Sequence, residues 1–224
     1  SVAFVNASHP VPRIQEDAAK TILDLHAELV LITDAAGLHG AIQEQIAHVK
    51  DPPRLTGTFK VSVLSKLPVI SLSVELATKD ISAVLVVVEM KSGRNFSTLV
   101  VDLASNPSQS RSALAQELVA HLQRPGAQGV DMIVGDFNMT PGSKALGLVK
   151  GDRQNAFEVA GTGWGGTWPG ARPVLRLDHA LVSPELTVRD ARTFSIGGAH
   201  RGLLLNLAFG APNTEPSAEE KTSS

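Results

Sequence analysis

Val134-Gly135-Asp136-Phe137-Asn138, continued by Met139-Thr140-Pro141, follows a strongly apolar segment of the chain. That segment, residues 130–134, predicts a buried strand, and the residues after it indicate a turn. Asp136 and Asn138 supply carboxylate and amide oxygens, the ligands that a hard cation such as Mg²⁺ prefers. Because Asp and Asn also favour turns for local reasons, the stretch gains its meaning from the rest of the chain.

Three further apolar segments end on, or just before, an oxygen-bearing side chain. They predict strands over residues 2–5, 29–33 and 97–103, and the polar side chains are Asn6, Asp34 and Asp102. Strand ends at one rim of a sheet can bring groups that are distant in sequence into a common cleft. We therefore expect these three residues to share a cleft with Asp136 and Asn138, and that cleft to suit a divalent cation.

The remaining pattern mixes helices with closely spaced strands. Helices are predicted over residues 14–25, 41–49, 110–122 and 143–149, and further strands over 60–64, 70–76, 81–90, 177–182, 187–193 and 203–209. Early alternation of strands and helices, followed by hairpins, favours an α+β fold with two mainly antiparallel sheets and outer helices. We expect one domain over residues 1–210 and a disordered tail over 211–224, which has almost nothing to bury.

Composition excludes several classes of protein. The 224 residues are 43% hydrophobic and 19% charged, typical of a globular domain. A net charge of −2 and a pI near 6.4 argue against a broad basic face for nucleic acid, although a local basic groove stays open. The absence of Cys excludes disulfides and thiol nucleophiles. No apolar segment is long enough to span a membrane.

The start of the chain has no signal-peptide pattern. Since it begins with Ser1 rather than Met, a processed product or a fragment of a membrane-anchored or exported protein stays open. We expect a monomer whose compartment the sequence leaves undetermined.

Landmarks in a fixed order make the chain resemble the endonuclease/exonuclease/phosphatase superfamily. Gly-Asp-Phe-Asn with Thr-Pro beyond it is that superfamily's signature. The other matching segments are Asn6 after the first strand, Leu64-Ser65-Lys66-Leu67-Pro68-Val69, Arg176-Leu177-Asp178-His179 and Gly198-Ala199-His200-Arg201. The Thr167-Trp168-Pro169 loop is similar to a bacterial branch in which this domain follows membrane helices. The resemblance covers residues 2 to about 209.

The resemblance implies a four-layer α/β/β/α sandwich and a Mg²⁺-dependent phosphoesterase, with Mn²⁺ as an alternative cation. It implies that Asn6 and Asp34 hold the metal while water attacks a phosphate ester whose identity the sequence does not give. For an in-line displacement, the protein must neutralise the negative charge on the phosphoryl group and orient a water molecule toward the phosphorus atom. It does little covalent chemistry itself.

The resemblance also distributes the chemical roles. Asp136 would orient or activate the water, and Asn138 would hydrogen-bond to the phosphoryl oxygens. His200 would be the general acid/base, and Asp178 would support the floor of the site.

Three positions depart from the family pattern. Asp34 stands where the family has Glu, so the carboxylate reaches about one bond less far toward the metal. Asp102 stands where a His contacts the phosphate, and a carboxylate can only accept hydrogen bonds and repels an anion; an extra metal ligand is the other interpretation. Ala199 replaces an Asp expected to orient His200, although another carboxylate could fill that place in space. A catalytically degenerate binding domain is therefore the alternative to an enzyme.

Cations and aromatic residues leave further alternatives open. Four cations form either a modest positive rim or scattered surface charge: Lys66, Arg172, Arg176 and Arg201. Trp164 and Trp168 either stack on a substrate or hold a Gly-rich loop in place. His179 is expected to pack at the end of its strand rather than to take part in catalysis.

Overall fold

The computed structural model describes residues 1–8, 14–35, 37–124 and 129–210. The tail predicted over residues 211–224 lies outside these ranges. The strands are β1 (Val2–Asn6), β2 (Leu29–Thr33), β3 (Arg54–Thr58), β4 (Val61–Ser65), β5 (Val69–Ala77), β6 (Ile81–Glu89), β7 (Asn95–Leu103), β8 (Met132–Asp136), β9 (Gln154–Asn155), β10 (Asp178–Val182), β11 (Leu186–Ser195) and β12 (Arg201–Phe209). The helices are α1 (Gln15–Asp24), α2 (Leu38–Ile46), α3 (Arg111–Leu122), α4 (Lys144–Lys150) and α5 (Ala156–Ala160).

The strands form two six-stranded sheets. The first has the order β11-β12-β1-β2-β4-β3, and the second has the order β5-β6-β7-β8-β10-β9. Each sheet has one parallel pair at its centre, β1 with β2 and β7 with β8, and antiparallel pairs elsewhere. The carboxyl ends of a parallel pair lie together, so each sheet brings two strand ends to one rim.

The packing makes four layers. Helices α1 and α2 cover the outer face of the first sheet, and α3 and α4 cover the outer face of the second. In β1, Val2 and Phe4 face the opposite sheet, whereas Ala3 and Val5 face the helices. Because both faces are buried, the central strands are mostly apolar on both faces and show no regular alternation with polar residues. The predicted sandwich with outer helices is confirmed.

Two strands and a helix of this fold were not predicted. β3 is an edge strand with no fully buried residue, β9 has two residues, and α5 has five. Helix α2 also begins three residues earlier than predicted, at Leu38 instead of Ala41. The other predicted helices and strands occur with boundaries shifted by a residue or two.

Gly135 allows β7 and β8 to lie close enough to pair. It stands opposite Val101 in the parallel register, and a Cβ atom at this position would collide with the Val101 carbonyl oxygen. The glycine that precedes Asp136 therefore has a steric origin. Among the helices of the described ranges, none combines the length and hydropathy that a membrane crossing requires.

Candidate active site

Three carboxylates form a row across the rim of the second sheet. Asp102 on β7 lies opposite Asp136 on β8, and Asp178 on β10 lies opposite Asp136 from the other side. Paired positions of neighbouring strands point to the same face, and Val134 and Ala180 place that face toward the first sheet. The row therefore lies where the two sheets meet.

A cleft of about 730 Å³ opens at this rim. It is lined by most of the residues singled out from the sequence: Asn6, Asp34, Asp102, Asp136, Asn138 and His200. Asp178 is fully buried beside the cleft and reaches it through its contact with His200. The expectation that distant strand ends share one cleft thus agrees with the observed geometry.

Asn6 links the two sheets inside the cleft. Its Nδ2 donates a 3.1 Å hydrogen bond to Asp136 Oδ2, and its Oδ1 accepts from the Ser8 backbone N–H at 3.0 Å. Both Asn6 and Asp136 are buried. The link fixes the spacing of the two sheets at the site, since β1 belongs to one sheet and β8 to the other.

Asn138 adopts a left-handed backbone conformation, with φ at +51°. Its backbone N–H donates to Asp136 Oδ1 at 2.9 Å, and its Nδ2 donates to the Leu103 carbonyl at 2.8 Å. Asn tolerates this conformation better than most residues. The two bonds fix Asn138 at the wall of the cleft.

His200 is held by Asp178. Its Nδ1 lies 2.8 Å from Asp178 Oδ2, and its Nε2 lies 3.8 Å from Asp136 Oδ2. Ala199 stands where the family pattern has the orienting Asp, and the carboxylate that fills that place in space is Asp178, 22 residues earlier, which the resemblance assigned to the floor of the site. Ala199 lines the cleft without leaving His200 unpaired.

The carboxylates of the cleft shift one another's pKa values and the pKa of His200. Burial, and then the neighbouring Asp178 carboxylate, raise the pKa of Asp136 to about 8. Burial opposes a charge on His200, but the hydrogen bond and charge of Asp178, with Asp136 and Asp102, outweigh it and raise the His200 pKa. Burial likewise raises the pKa of Asp102, and the Lys60 ammonium opposes that shift. The cleft thus holds more negative charge than its own cations offset.

Lys60 is a site residue that sequence reasoning missed. Its Nζ lies 3.4 Å from Asp102 Oδ2, and its side chain lines the cleft. The Lys60 carbonyl accepts a 2.9 Å hydrogen bond from the Asp34 backbone N–H. Lys60 lies in the turn between β3 and β4, and no motif in the sequence marks it.

Thr167 and His179 support the site from below. The Thr167 hydroxyl accepts from the backbone N–H groups of Leu177 and Asp178, which fixes the start of β10. His179 Nε2 lies 2.8 Å from the Met139 carbonyl oxygen, and burial lowers the pKa of His179 to about 4. A neutral His179 with its proton on Nε2 is the tautomer that fits this contact. The contact anchors the chain just after Asn138, in accordance with the packing role expected for His179.

Of the other cations and aromatic residues singled out from the sequence, some line the cleft and others lie outside it. None of Lys66, Arg172, Arg176 and Arg201 lines the cleft. Lys66 instead donates to the His26 carbonyl, and Arg176 lies 3.7 Å from Glu158. Trp168 lines the cleft and is 40% exposed, whereas Trp164 bonds to the Pro173 carbonyl in its own loop.

The donor atoms of the cleft fit a divalent cation. Asp34, Asn6 and Asp102 offer oxygen ligands, which Mg²⁺ and similar hard cations prefer. Asp136, Asp178 and His200 also each offer one ligand atom within 4.8 Å of the others. Among the described residues, no donor reaches the second oxygen of Asp178, although the residue is fully buried. Positive charge is what this arrangement lacks.

Comparison with known proteins gives a family. The model of the Endonuclease/Exonuclease/phosphatase family matches residues 14–219. The chain belongs to this family. No curated protein sequence matches the chain.

Solved structures share the endonuclease/exonuclease/phosphatase fold. The chain resembles the endonuclease/exonuclease/phosphatase from Bacteroides vulgatus, with a TM-score of 0.72, 17% identity and coverage of 93% of this chain and 98% of that one. It resembles the mannosyl-6-phosphatase Bt3783 of Bacteroides thetaiotaomicron, with a TM-score of 0.72, 13% identity and coverage of 93% and 99%. It also resembles D. rerio TDP2 complexed with single-strand DNA product, with a TM-score of 0.68, 12% identity and coverage of 92% and 98%. At these identities the likeness shows the fold.

Proposed function

We propose that this chain is a divalent-cation-dependent phosphoesterase that hydrolyses a phosphate ester by attack of water, with residues 1–210 as the active domain. The observation that carries the proposal is the Asp178–His200 contact of 2.8 Å next to Asp136. A buried carboxylate behind a histidine whose other nitrogen faces the cleft is an arrangement suited to moving a proton. The family and its phosphatase neighbour agree with the reaction class.

Asp34 and Asn6 are the residues that would hold the cation, with Mg²⁺ or Mn²⁺ as the ions best matched to their oxygens. We prefer them to the Asp136–Asp178–His200 group because a cation on His200 Nδ1 would replace the proton that joins it to Asp178, whereas Asn6 Oδ1 keeps a second lone pair beside its bond from the Ser8 N–H. When bound, the cation supplies charge neutralisation for the phosphoryl oxygens in the transition state. Its charge also favours the ionised form of Asp136, whose pKa is otherwise raised to about 8.

The side chains then divide the work around the phosphorus atom. Asp136, held by Asn6 and by the Asn138 backbone, aims the water and accepts its proton. His200, kept protonated by Asp178, donates to the leaving oxygen as the phosphorus–oxygen bond breaks. The second amide hydrogen of Asn138 contacts a phosphoryl oxygen.

Lys60 provides the positive contact that a histidine at position 102 would have given. Asp102 cannot donate to a phosphoryl oxygen, but Lys60 Nζ lies 3.4 Å from its carboxylate and lines the same cleft. An ammonium group is a common phosphate-binding point charge. The departure at position 102 is therefore offset by a residue that lies 42 positions earlier in the sequence.

Asp102 is also the observation that favours the alternative, a degenerate family member that binds a ligand without turnover. Its carboxylate faces the space where a phosphate would lie and repels an anion. On that alternative the wild-type protein has no hydrolytic activity, and Asp102→His restores some.

Hydrolysis assays decide between the two. We expect Mg²⁺- or Mn²⁺-dependent release of 4-nitrophenol from bis(4-nitrophenyl) phosphate or 4-nitrophenyl phosphate. Asp136→Asn and His200→Ala should abolish it, while the exposed-site controls Asp152→Asn and His48→Ala leave it intact. A folded wild-type protein with no turnover across these substrates and cations would refute the proposal.

A further inference from the structure

A second hollow, of about 700 Å³, adjoins the catalytic cleft. The two share Asp34 and Lys60, so they are continuous along the end of the first sheet. Ligand pockets for small molecules usually have volumes of about 300–1,000 Å³. The cleft alone accommodates a small phosphate ester, and the adjoining hollow provides room for another group of similar size.

The wall of this hollow carries an aromatic side chain in an unfavourable backbone conformation. Phe59 is the first residue of the two-residue turn between β3 and β4, and its φ is +44°. Favoured turns of this kind place Gly, Asn or Asp where φ is positive. A bulky residue with positive φ is a true outlier, and such strain concentrates at functional sites.

Packing does not account for Phe59. Its side chain is 63% exposed and therefore stabilises the fold little in return for the strained turn. The neighbouring Lys60 points to Asp102, and the Asp34 backbone N–H holds the Lys60 carbonyl at 2.9 Å. The turn thus presents the solvent-facing ring of Phe59 directly beside the Lys60 ammonium group, which faces the position proposed for the phosphate.

The polarity of the hollow suits a planar group with both apolar faces and polar edges. Phe59 and Leu55 supply apolar surface, and Thr56 and Thr58 supply polar edges. His39 Nδ1 lies 2.9 Å from Ser62 Oγ at the side of the hollow, so two further polar groups are held in fixed positions. Proteins commonly hold a planar ring by stacking it on an aromatic side chain, which does not require specific hydrogen bonds to the edges of the ring.

We infer that this hollow is a subsite for a planar aromatic ester group, and that the substrate is a phosphodiester and not a monoester. The inference rests on the proposed function. Because His200 donates to the leaving oxygen, the leaving group lies on the side of His200 and Trp168. The hollow at Asp34 and Lys60 is then left for the ester group that stays on phosphorus, which a monoester does not have.

Two substrates with the same leaving group test the subsite. Bis(4-nitrophenyl) phosphate and methyl 4-nitrophenyl phosphate both release 4-nitrophenol and differ only in the ester group that remains. We expect Phe59→Ala and Phe59→Gly to lower the ratio of kcat/KM for the bis-aryl substrate to kcat/KM for the methyl substrate by about 5- to 150-fold, the range for loss of one stacked ring. The loss should appear as a higher KM for the bis-aryl substrate, with the methyl substrate unchanged.

The variants separate loss of binding from loss of folding. Gly fits the positive φ at position 59, so Phe59→Gly should unfold at a higher temperature than the wild type while losing the aryl preference. Leu148→Ala is the matched control, because Leu148 is 49% exposed on α4 and lines neither the cleft nor the hollow. It should leave the ratio unchanged.

The result that overturns the inference is an unchanged ratio in both Phe59 variants, or an equal fall for both substrates. If the wild type hydrolyses 4-nitrophenyl phosphate but neither diester, this inference is overturned and the proposed function stands. If it hydrolyses none of the three substrates, the proposed function fails, and calorimetric binding still decides the subsite. Tighter binding of diphenyl phosphate than of dimethyl phosphate, lost in Phe59→Gly, supports the subsite. Equal affinity for the two compounds overturns it.

Discussion

Replacement of Asp178 by Asn isolates the support of His200 from the rest of the site. The side chain is fully buried, and its Oδ2 accepts the 2.8 Å contact from His200 Nδ1. Asn keeps the shape of the side chain but loses the charge, and its amide can turn a donor toward the ring. His200 would then be held in the wrong tautomer, or less basic than it is beside a carboxylate.

The magnitude follows from the strength of that contact. A hydrogen bond to a charged group contributes about 1.5–3 kcal/mol, and full burial places this one near the upper value. At about 1.36 kcal/mol per tenfold change in rate, a loss of about 3 kcal/mol in the transition state lowers kcat by about 150-fold. The wrong tautomer cost a serine protease about 10⁴, so the expected fall lies between about 10² and 10⁴.

The assay measures kcat for bis(4-nitrophenyl) phosphate at saturating Mg²⁺ or Mn²⁺, together with the midpoint of thermal unfolding. Asp178→Asn relieves the repulsion between two carboxylates, but it also removes the charged hydrogen bond to His200, so the variant should unfold at a somewhat lower midpoint and stay folded at the assay temperature. Asp131→Asn is the matched control, because Asp131 is also a buried carboxylate but accepts hydrogen bonds from Ser97, outside the cleft. It should lower the midpoint and leave kcat unchanged. A folded Asp178→Asn protein that retains kcat within about threefold of the wild type would refute the reasoning, since that loss is below about 0.7 kcal/mol.

Three further predictions concern charge and packing at the same rim. In cation-free protein the pKa of Asp136 is raised from 3.8 to about 8, so the folded state binds more protons than the unfolded state between these values, and its stability falls as pH rises. Thermal midpoints in chelator should therefore fall between about pH 4 and 8, and Asp136→Asn should flatten that fall. An unaltered slope contradicts the shift. Lys60→Met removes a half-exposed charge and should weaken the binding of inorganic phosphate by about fivefold, or about 1 kcal/mol, in calorimetry. Lys20→Met is the control at an exposed position. No change in affinity for Lys60→Met argues against a phosphate contact. Gly135→Ala forces a methyl group into the β7–β8 ladder and should lower the free energy of unfolding in urea by about 1–3 kcal/mol or more. Gly40→Ala is the control: Gly40 lies in helix α2, and a methyl group there meets no neighbour within 4 Å, so this change should raise the free energy of unfolding by up to about 1 kcal/mol. Equal losses at the two positions would contradict the steric explanation.

The convergence of strand ends could be predicted because it depends on local patterns. β1, β2, β7 and β8 are apolar on both faces, which identifies each of them as a central strand. Asn6, Asp102 and Asp136 follow from where those strands end. The four layers of the sandwich could not be read from any single strand. They were predicted from the resemblance, which depends on the order of the motifs along the chain.

Other parts of the site depend on contacts that the sequence does not display. β3 reads Arg-Leu-Thr-Gly-Thr, an edge strand with a glycine and no alternation, so its pairing with β4 decides its structure. Without β3 the turn that carries Phe59 and Lys60 cannot be recognised. The pairing of Asp178 with His200 joins β10 of the second sheet to the residue just before β12 of the first. It depends on how the two sheets pack, so the sequence around His200, where Ala199 is the neighbour, does not display it.

The origin of the two sheets along the chain has a consequence for biosynthesis. The first sheet joins strands from residues 2–65 with strands from residues 186–209, and the second uses only residues 69–182. Along the chain, β8 and β10 come before His200 and before β12, the strand that lies between β11 and β1 in the first sheet. A ribosome-bound intermediate would already display its acidic row without the imidazole beside it. If the chain is the phosphoesterase proposed above, hydrolysis would begin only when β12 closes the first sheet, and its onset would report the last folding events.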